Sequence, residues 1–328
     1  MASSEIGLGL IGAGRHGIRY ARHVIQDIAN ARLRAVCRQH PDRELDIPGS
    51  EGVALYGRPE QLIADPRVDA IILVVPPVLH KDLCFAAVEA RKPLLIEKPL
   101  ATNYRDARMM VDAAARAGVP LMTAHTLRYD ETIRALQASR PRIGEVRRLE
   151  LTSRIETKGR SADHADGYGR RGALLEFGVH LLDLVRVLSG EDIHTVECLL
   201  DRLPPEHPET SATIHLRTMS GIDCKIEVAR VEAARVGRAE WIGSNGTLTA
   251  DWTNRYLRMT DSASRIEEQS MPQSLTVLTT LQEFLHALRQ NSPMPITGED
   301  GCRAVEIAEA CYRSAENGGR TVTLPMET

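Results

Sequence analysis

Three stretches of this chain carry residue types whose chemistry belongs together. The first is Glu97-Lys98-Pro99, which follows the apolar run Leu94-Leu95-Ile96. An apolar run halted by a charged pair and a proline reads as a buried parallel strand. Open α/β sheets bind ligands beyond the carboxyl ends of their strands, so Lys98 stands where a ligand would sit. Pro99 biases Lys98 toward extended backbone. The chain has 41 Lys plus Arg, and only five are lysines, at 81, 92, 98, 158 and 225. Arginine holds its proton near neutral pH, whereas a lysine releases it once its pKa is lowered. An isolated Lys-Pro is more often a surface pair than a catalytic one, so the other stretches supply the weight.

The second is Gly12-Ala13-Gly14-Arg15-His16-Gly17, between a short apolar strand, Ile6 to Ile11, and a helix with apolar Ile18, Ala21, Val24, Ile25 and Ile28. In the order strand, G-x-G-x-x-G, helix, strand, this is a dinucleotide cradle, and all six residues are candidate cofactor contacts. Gly12 allows the tight turn, Gly14 lets backbone approach a pyrophosphate at the helix N-terminus, and Gly17 lets helix and strand pack closely. About twenty residues further on, NAD enzymes offer Asp or Glu to the ribose hydroxyls. Here the second strand, Leu33 to Cys37, runs into Arg38, and the first acid is Asp42. A guanidinium attracts a 2′-phosphate and stacks on adenine, which favours NADP over NAD. The competing reading has Arg38 in solvent and the ribose held by other groups. Asp69 to Val75 reads as another buried strand, closed by Pro76-Pro77. Pro76, His80, Glu97 and Lys98 join the cofactor candidates, although His80 reads more simply as a helix-start residue.

The third stretch, Gly172 to Leu188, reads as one helix on which Glu176, His180 and Asp183 fall at i, i+4 and i+7 and share a face. One reading is a satisfied buried hydrogen-bond set, and the other is acid–base machinery. No further ligands stand at zinc-site spacing, so no metal is expected.

Strands and helices alternate over the first 120 or so residues, which predicts a doubly wound parallel sheet. Beyond Thr123 the pattern turns to strands and turns, with helices near 130–139, 275–289 and 301–315. That predicts an α+β domain with a large, mainly antiparallel sheet. We expect a Rossmann domain over 1–124 and a substrate-binding and oligomerisation domain over 125–328. With 43% hydrophobic and 26% charged residues and a net charge of −3, the composition is globular and gives no electrostatic case for nucleic acid or an anionic membrane. Six cysteines without a Cys-x-x-Cys pair, no membrane-length apolar run and no signal-peptide pattern predict a cytoplasmic protein with reduced thiols.

Taken together, Gly12-Ala-Gly14-Arg-His-Gly17, Glu97-Lys98-Pro99, Glu176-x-x-x-His180-x-x-Asp183 and Gly298-Glu-Asp-Gly301 resemble the glucose–fructose oxidoreductase / inositol dehydrogenase (Gfo/Idh/MocA) family over nearly the whole chain. The resemblance implies a Rossmann domain followed by an α/β domain whose open sheet often mediates oligomers, here a homodimer or homotetramer. It implies NAD(P)-dependent hydride transfer at a sugar, inositol or related polyol carbon. The family lysine maps to Lys98, and its helix Asp and His map to Glu176 and His180. Two departures stand out: Glu176 is one methylene longer than the usual Asp, and Arg171 precedes Gly172 where paired glycines are common.

In a hydride-transfer enzyme, Lys98 or His180 would exchange the hydroxyl proton. A free lysine titrates near ~10.4 and must fall far to do so, whereas a free histidine near ~6.5 needs less tuning. His180 is therefore expected to move the proton, with Lys98 polarising the oxygen. His125, Arg128, His164, Asp166, Tyr168, Arg171 and Asp183 are candidate substrate contacts and would suit a polyol or an acidic sugar. Two alternatives share these residues: a lyase or glycosidase working by transient oxidation of a sugar, and a non-catalytic nucleotide-binding sensor.

Overall fold

The computed structural model describes residues 5–157, 166–201 and 207–326. The chain packs as two compact units. One comprises residues up to Thr126 together with Val277–Cys302, and the other Leu127–Thr276 with the segment from Arg303 onward.

The first unit is a six-stranded parallel sheet: β1 (Ile6–Ile11), β2 (Ala31–Cys37), β3 (Ala54–Tyr56), β4 (Ala70–Leu73), β5 (Leu94–Glu97) and β6 (Leu121–Ala124). The strand order is β3-β2-β1-β4-β5-β6, so the direction of winding reverses between β1 and β4. Helices α1 (Gly17–Gln26), α2 (Pro59–Ala64), α3 (His80–Glu89) and α4 (Tyr104–Ala117) make the crossovers. Every residue of β4 and β5 is buried, as the unbroken apolar runs require of strands covered on both faces. Each buried Ile or Leu of these strands contributes roughly 1.5–3 kcal/mol, so the sheet is a rigid base for the loops at its carboxyl edge. Asn103 caps α4 by accepting from the Asp106 N–H at 2.9 Å, and Gly118 ends it in the left-handed conformation.

Residues 277–302 pack with this unit. The reason is the open edge of β6. Thr123 N donates to Ile296 O at 3.2 Å, and Met122 pairs with Thr297 in an antiparallel bridge. An uncovered edge strand would leave a row of unpaired backbone groups. Helix α7 (Thr276–Gln290) precedes this cover and adds a bond from Arg289 to the Asn30 carbonyl.

The second unit is a nine-stranded sheet built from β7 (Val146–Glu156), β8 (Ile193–Asp201), β9 (Ser211–Thr218), β10 (Asp223–Val231), β11 (Val236–Gly243), β12 (Gly246–Asp251), β13 (Tyr256–Asp261), β14 (Ile266–Ser270) and β15 (Val322–Thr323). The order is β14-β13-β12-β11-β7-β10-β9-β8-β15. Pairing is antiparallel except between β7 and β10. Helices α5 (Glu131–Ser139) and α6 (Val179–Ser189) pack on β12 and β7, over inward-facing Leu149, Leu151, Trp241, Leu248 and Ile226. The opposite face is charged, with pairs such as Lys225–Glu227 at 2.6 Å. Strand β14 is absent from the sequence reading because its residues, Ile-Glu-Glu-Gln-Ser, are all exposed and carry no alternation. The last helix, α8, spans Gly298–Glu316.

The helix expected from Gly172 begins differently. Residues Leu174–Gly178 form a π-turn that passes into α6. The wider turn shifts the register between Glu176 and the α6 residues His180 and Asp183, so an α-helical wheel does not describe the three together.

Candidate active site

In the first unit the glycine motif lies between the end of β1 and the start of α1. Gly12 has φ +97°, its N–H donates to Cys37 O at 3.0 Å, and a Cβ there would meet Val74 O at 2.1 Å. A Cβ on Gly17 would meet Gly12 O at 1.9 Å. Packing alone therefore demands glycine at both positions. Gly14 is different: it is exposed, its φ is not in the left-handed range, and a Cβ would find no heavy atom within 4 Å. The fold leaves open space above this one glycine, at a helix N-terminus beside the switch point. That is the room a pyrophosphate needs.

Ala13 is half-buried, and Arg15 and His16 are exposed at the same loop. His16 turns back toward the sheet, where its Nε2 lies 2.7 Å from Glu97 Oε1. The buried Tyr20 hydroxyl donates to the same oxygen at 2.5 Å, and Lys98 N–H donates to Glu97 Oε2 at 3.1 Å. Burial opposes charge on Glu97, but its bonds to His16 and the neighbouring Lys98 win, and its pKa lies below the usual carboxylate value. Burial, then the nearby carboxylate, push the Tyr20 phenol well above its usual value, so it stays a donor. The glycine loop, α1 and the Lys98 strand end are thus tied through one buried carboxylate. Tyr20 was missed in the sequence because a tyrosine one turn into an amphipathic helix looks like ordinary core.

Lys98 is half-buried at the carboxyl end of β5, before a cis peptide to Pro99. Among the other described lysines, Lys81 pairs with Asp106 at 2.9 Å, Lys92 donates to the Asp65 and Val68 carbonyls, and Lys225 pairs with Glu227. Those three hold the fold together. His80 is fully buried. Its Nδ1 lies 3.1 Å from the Pro99 and Leu100 carbonyls and its Nε2 3.0 Å from Val75 O. It clamps the loop after β4 to the loop after β5, and burial lowers its pKa despite the carbonyls that push the other way. Pro76 is exposed just ahead of a 3₁₀ turn, Pro77–Leu79. Arg38 leaves the end of β2 half-buried, and its Nε and one Nη are shielded from solvent without a hydrogen-bond partner. Buried guanidinium donors are normally satisfied. His125 is buried just beyond β6, its N–H bonded to Thr123 O at 2.9 Å.

In the second unit Glu176 forms a charge-assisted bond with Arg230, at the end of β10. The Arg230 guanidinium also lies 4.7 Å over the Phe177 ring, and burial pulls its pKa down to about 10. Asp183, 1% exposed, takes both arms of Arg128, with Nε donating at 2.7 Å. This pair fixes the start of the unit against α6, so the two candidate substrate contacts neutralise each other. His180 is half-buried on α6. Tyr168 is half-buried, and Asp166 is exposed with Arg170 3.9 Å away. Arg171 stacks on Tyr312, its guanidinium carbon 4.3 Å from the ring centroid. His164 lies outside the described residues. Arg230, Glu209 and Tyr312 had no motif to announce them.

Two family models match this chain: the oxidoreductase family with an NAD-binding Rossmann fold over residues 6–125, and its C-terminal α/β domain over 139–324. The chain belongs to the Gfo/Idh/MocA oxidoreductase family. It is 28% identical to the myo-inositol 2-dehydrogenase of Thermotoga maritima, with 94% of this chain and 96% of that protein covered. It is 26% identical to the D-apiose dehydrogenase of Rhizobium rhizogenes over 99% of each. Among solved structures, a probable dehydrogenase from Thermotoga maritima superposes with a TM-score of 0.83 at 27% identity, covering 97% of this chain and 99% of that one. This family member is therefore an oxidoreductase with an NAD-binding Rossmann domain. Among the described residues no helix is long and apolar enough to cross a membrane, and no group of three or more His, Cys, Asp or Glu is placed to hold a metal ion.

Proposed function

We propose that this chain is a cytoplasmic NADP-preferring dehydrogenase or reductase that exchanges a hydride with a carbinol carbon of a sugar, inositol or related polyol. The observation that carries the cofactor preference is Arg38, whose two shielded guanidinium nitrogens have no partner at the end of β2. A 2′-phosphate would give both a charge-assisted acceptor. The open space over Gly14 fits the same ligand. The polyol class is supported by the relatives named inositol and apiose dehydrogenases.

The coenzyme, when bound, supplies the hydride acceptor or donor. The Gly12–Gly17 loop would hold its pyrophosphate, Arg38 its adenosine phosphate, and the loops ending in Pro76 and clamped by His80 would shape its bed. Lys98, anchored through Glu97 to the same loop, is assigned to polarise the substrate oxygen. His180 is assigned to take or return the hydroxyl proton. Glu176, engaged by Arg230, is assigned to position the π-turn that leads into the His180 helix. Lys98 and His180 belong to different units. We assign the charged face of the nine-stranded sheet to a homodimer or homotetramer contact, to be read by light scattering on the purified protein.

The decisive experiment is calorimetric titration of NADPH and NADH into wild type and Arg38→Ala. A charge-assisted contact worth about 1.5–3 kcal/mol predicts NADPH binding roughly ten- to a hundredfold tighter than NADH, with the difference lost in the variant. Equal binding of the two coenzymes would overturn the NADP preference. Binding of neither would overturn the enzyme reading.

A further inference from the structure

Arg171 and Arg230 come from distant parts of the sequence, yet the second unit brings them to the two sides of one dipeptide, Glu209-Thr210. On one side Arg230 N–H donates to Thr210 O at 2.7 Å. On the other, Ala173 N–H donates to Glu209 O at 3.0 Å, and a Cβ on Gly172 would lie 2.0 Å from that same oxygen. Each guanidinium is backed by a ring, Arg171 by Tyr312 and Arg230 by Phe177. Each also keeps one buried Nη1 with no hydrogen-bond partner. The Arg230 side chain is only 7% exposed. Between them Glu209, 2% exposed, spends Oε1 on the Tyr312 hydroxyl at 2.7 Å and on Leu174 N–H at 3.1 Å, while its buried Oε2 has no partner.

Two orphaned cationic donors and one orphaned acceptor in a single buried cluster are unusual, because buried polar groups in a folded protein are normally hydrogen-bonded. Arg230 already has the Glu176 carboxylate on its other arm, whereas a neutral polyol would use the Glu209 acceptor but bring no charge to Arg171. A simple anion would suit the arginines but be repelled by Glu209. We propose that this cluster is a substrate subsite for a polyhydroxy carboxylate of the sugar-acid class. Its carboxylate accepts from Arg171 Nη1 and Arg230 Nη1, and a neighbouring hydroxyl donates to Glu209 Oε2. A planar carboxylate matches flat, ring-backed guanidiniums better than a point charge does. Arg171, standing where the family often has glycine, becomes the specificity-determining residue.

This inference rests on the proposed dehydrogenase reading and names its substrate class. The test is binding to the NADP-loaded protein of two matched pairs, D-gluconate against D-glucitol and D-glucuronate against D-glucose, with glucose 6-phosphate as a third arm. NADPH affinity is measured separately on each protein. In wild type at least one acid should bind ten times or more tighter than its neutral partner. In Arg171→Gln that preference should fall at least tenfold, with NADPH affinity unchanged, and Arg171→Lys should restore part of it. The proposal is overturned by equal binding within both pairs, by an unchanged preference in Arg171→Gln, by binding of glucose 6-phosphate alone, or by no binding at all to protein that holds NADPH. Wild type that binds neither NADPH nor NADH would instead refute the underlying dehydrogenase reading.

Discussion

The three glycines of the loop after β1 make opposite demands, and a pair of alanine substitutions separates them. At Gly12 an added methyl would overlap the Val74 carbonyl at 2.1 Å, and the residue would be held at φ +97°. A left-handed non-glycine residue costs about 1–3 kcal/mol before any overlap is counted. For a unit of this size each kcal/mol lowers Tm by roughly 2–4 °C, so Gly12→Ala should lose at least about 2 °C from the backbone alone, and more from the overlap. At Gly14 the methyl meets nothing and the backbone is not left-handed. The only effect on stability is the smaller entropy of the unfolded chain, worth roughly 0.4–1 kcal/mol in favour of the variant. Yet the methyl occupies the space assigned to the pyrophosphate. Losing one charge-assisted backbone contact of about 1.5–3 kcal/mol should weaken NADPH binding by roughly ten- to a hundredfold. Thermal unfolding and NADPH fluorescence on the same preparations read both effects. If Gly14→Ala bound NADPH like wild type, or unfolded several degrees earlier, the assignment of that space would be refuted.

Further expectations concern the groups around this loop. Lys98→Met should cut turnover of a polyol substrate by roughly 10²–10⁴ while NADPH binding stays within about threefold, and retained turnover would remove Lys98 from the chemistry. Tyr20→Phe deletes a buried donor to the Glu97 carboxylate and should cost about 1–3 kcal/mol in urea unfolding, with no loss meaning that Glu97 finds another donor. Burial lowers the His80 pKa, so below about pH 6.5 the unfolded chain takes up a proton that the native ring refuses. The stability His80 contributes is then present above pH ~6.5 and lost as pH falls. Urea unfolding at pH 8 and pH 5.5 should show a larger loss for wild type than for His80→Gln, and equal losses would show that the buried ring does not titrate as assigned. Gly172→Ala should destabilise the second unit, because its methyl would overlap Glu209 O, and an unchanged Tm would mean that the loop yields there.

Local patterning was enough to read the six parallel strands of the first unit and the helices that connect them. Strands covered on both faces must be continuous apolar runs, a helix must repeat its apolar residues every three to four positions, and a turn that reverses within a few residues needs glycine at fixed places. Leu94 to Lys98 and Gly12 to Gly17 obey these rules within single short windows, and so their positions along the chain were legible. The same logic placed the mixed sheet and gave its strands to within a few residues, apart from the fully exposed β14. Tertiary structure decided which charges meet. Glu176, His180 and Asp183 look like one row in the sequence, but the π-turn moves Glu176 and the fold sends it to Arg230, while Asp183 goes to Arg128. Those partners lie 54 and 55 residues away, and periodicity carries no information over such separations. For the same reason the return of residues 277–302 to cover the edge of β6, the clamp made by His80 and the Arg171–Glu209–Arg230 cluster are properties of the folded chain. A residue's type sets what it can donate, accept or ionise, and only the packed structure fixes which of those capacities are already spent.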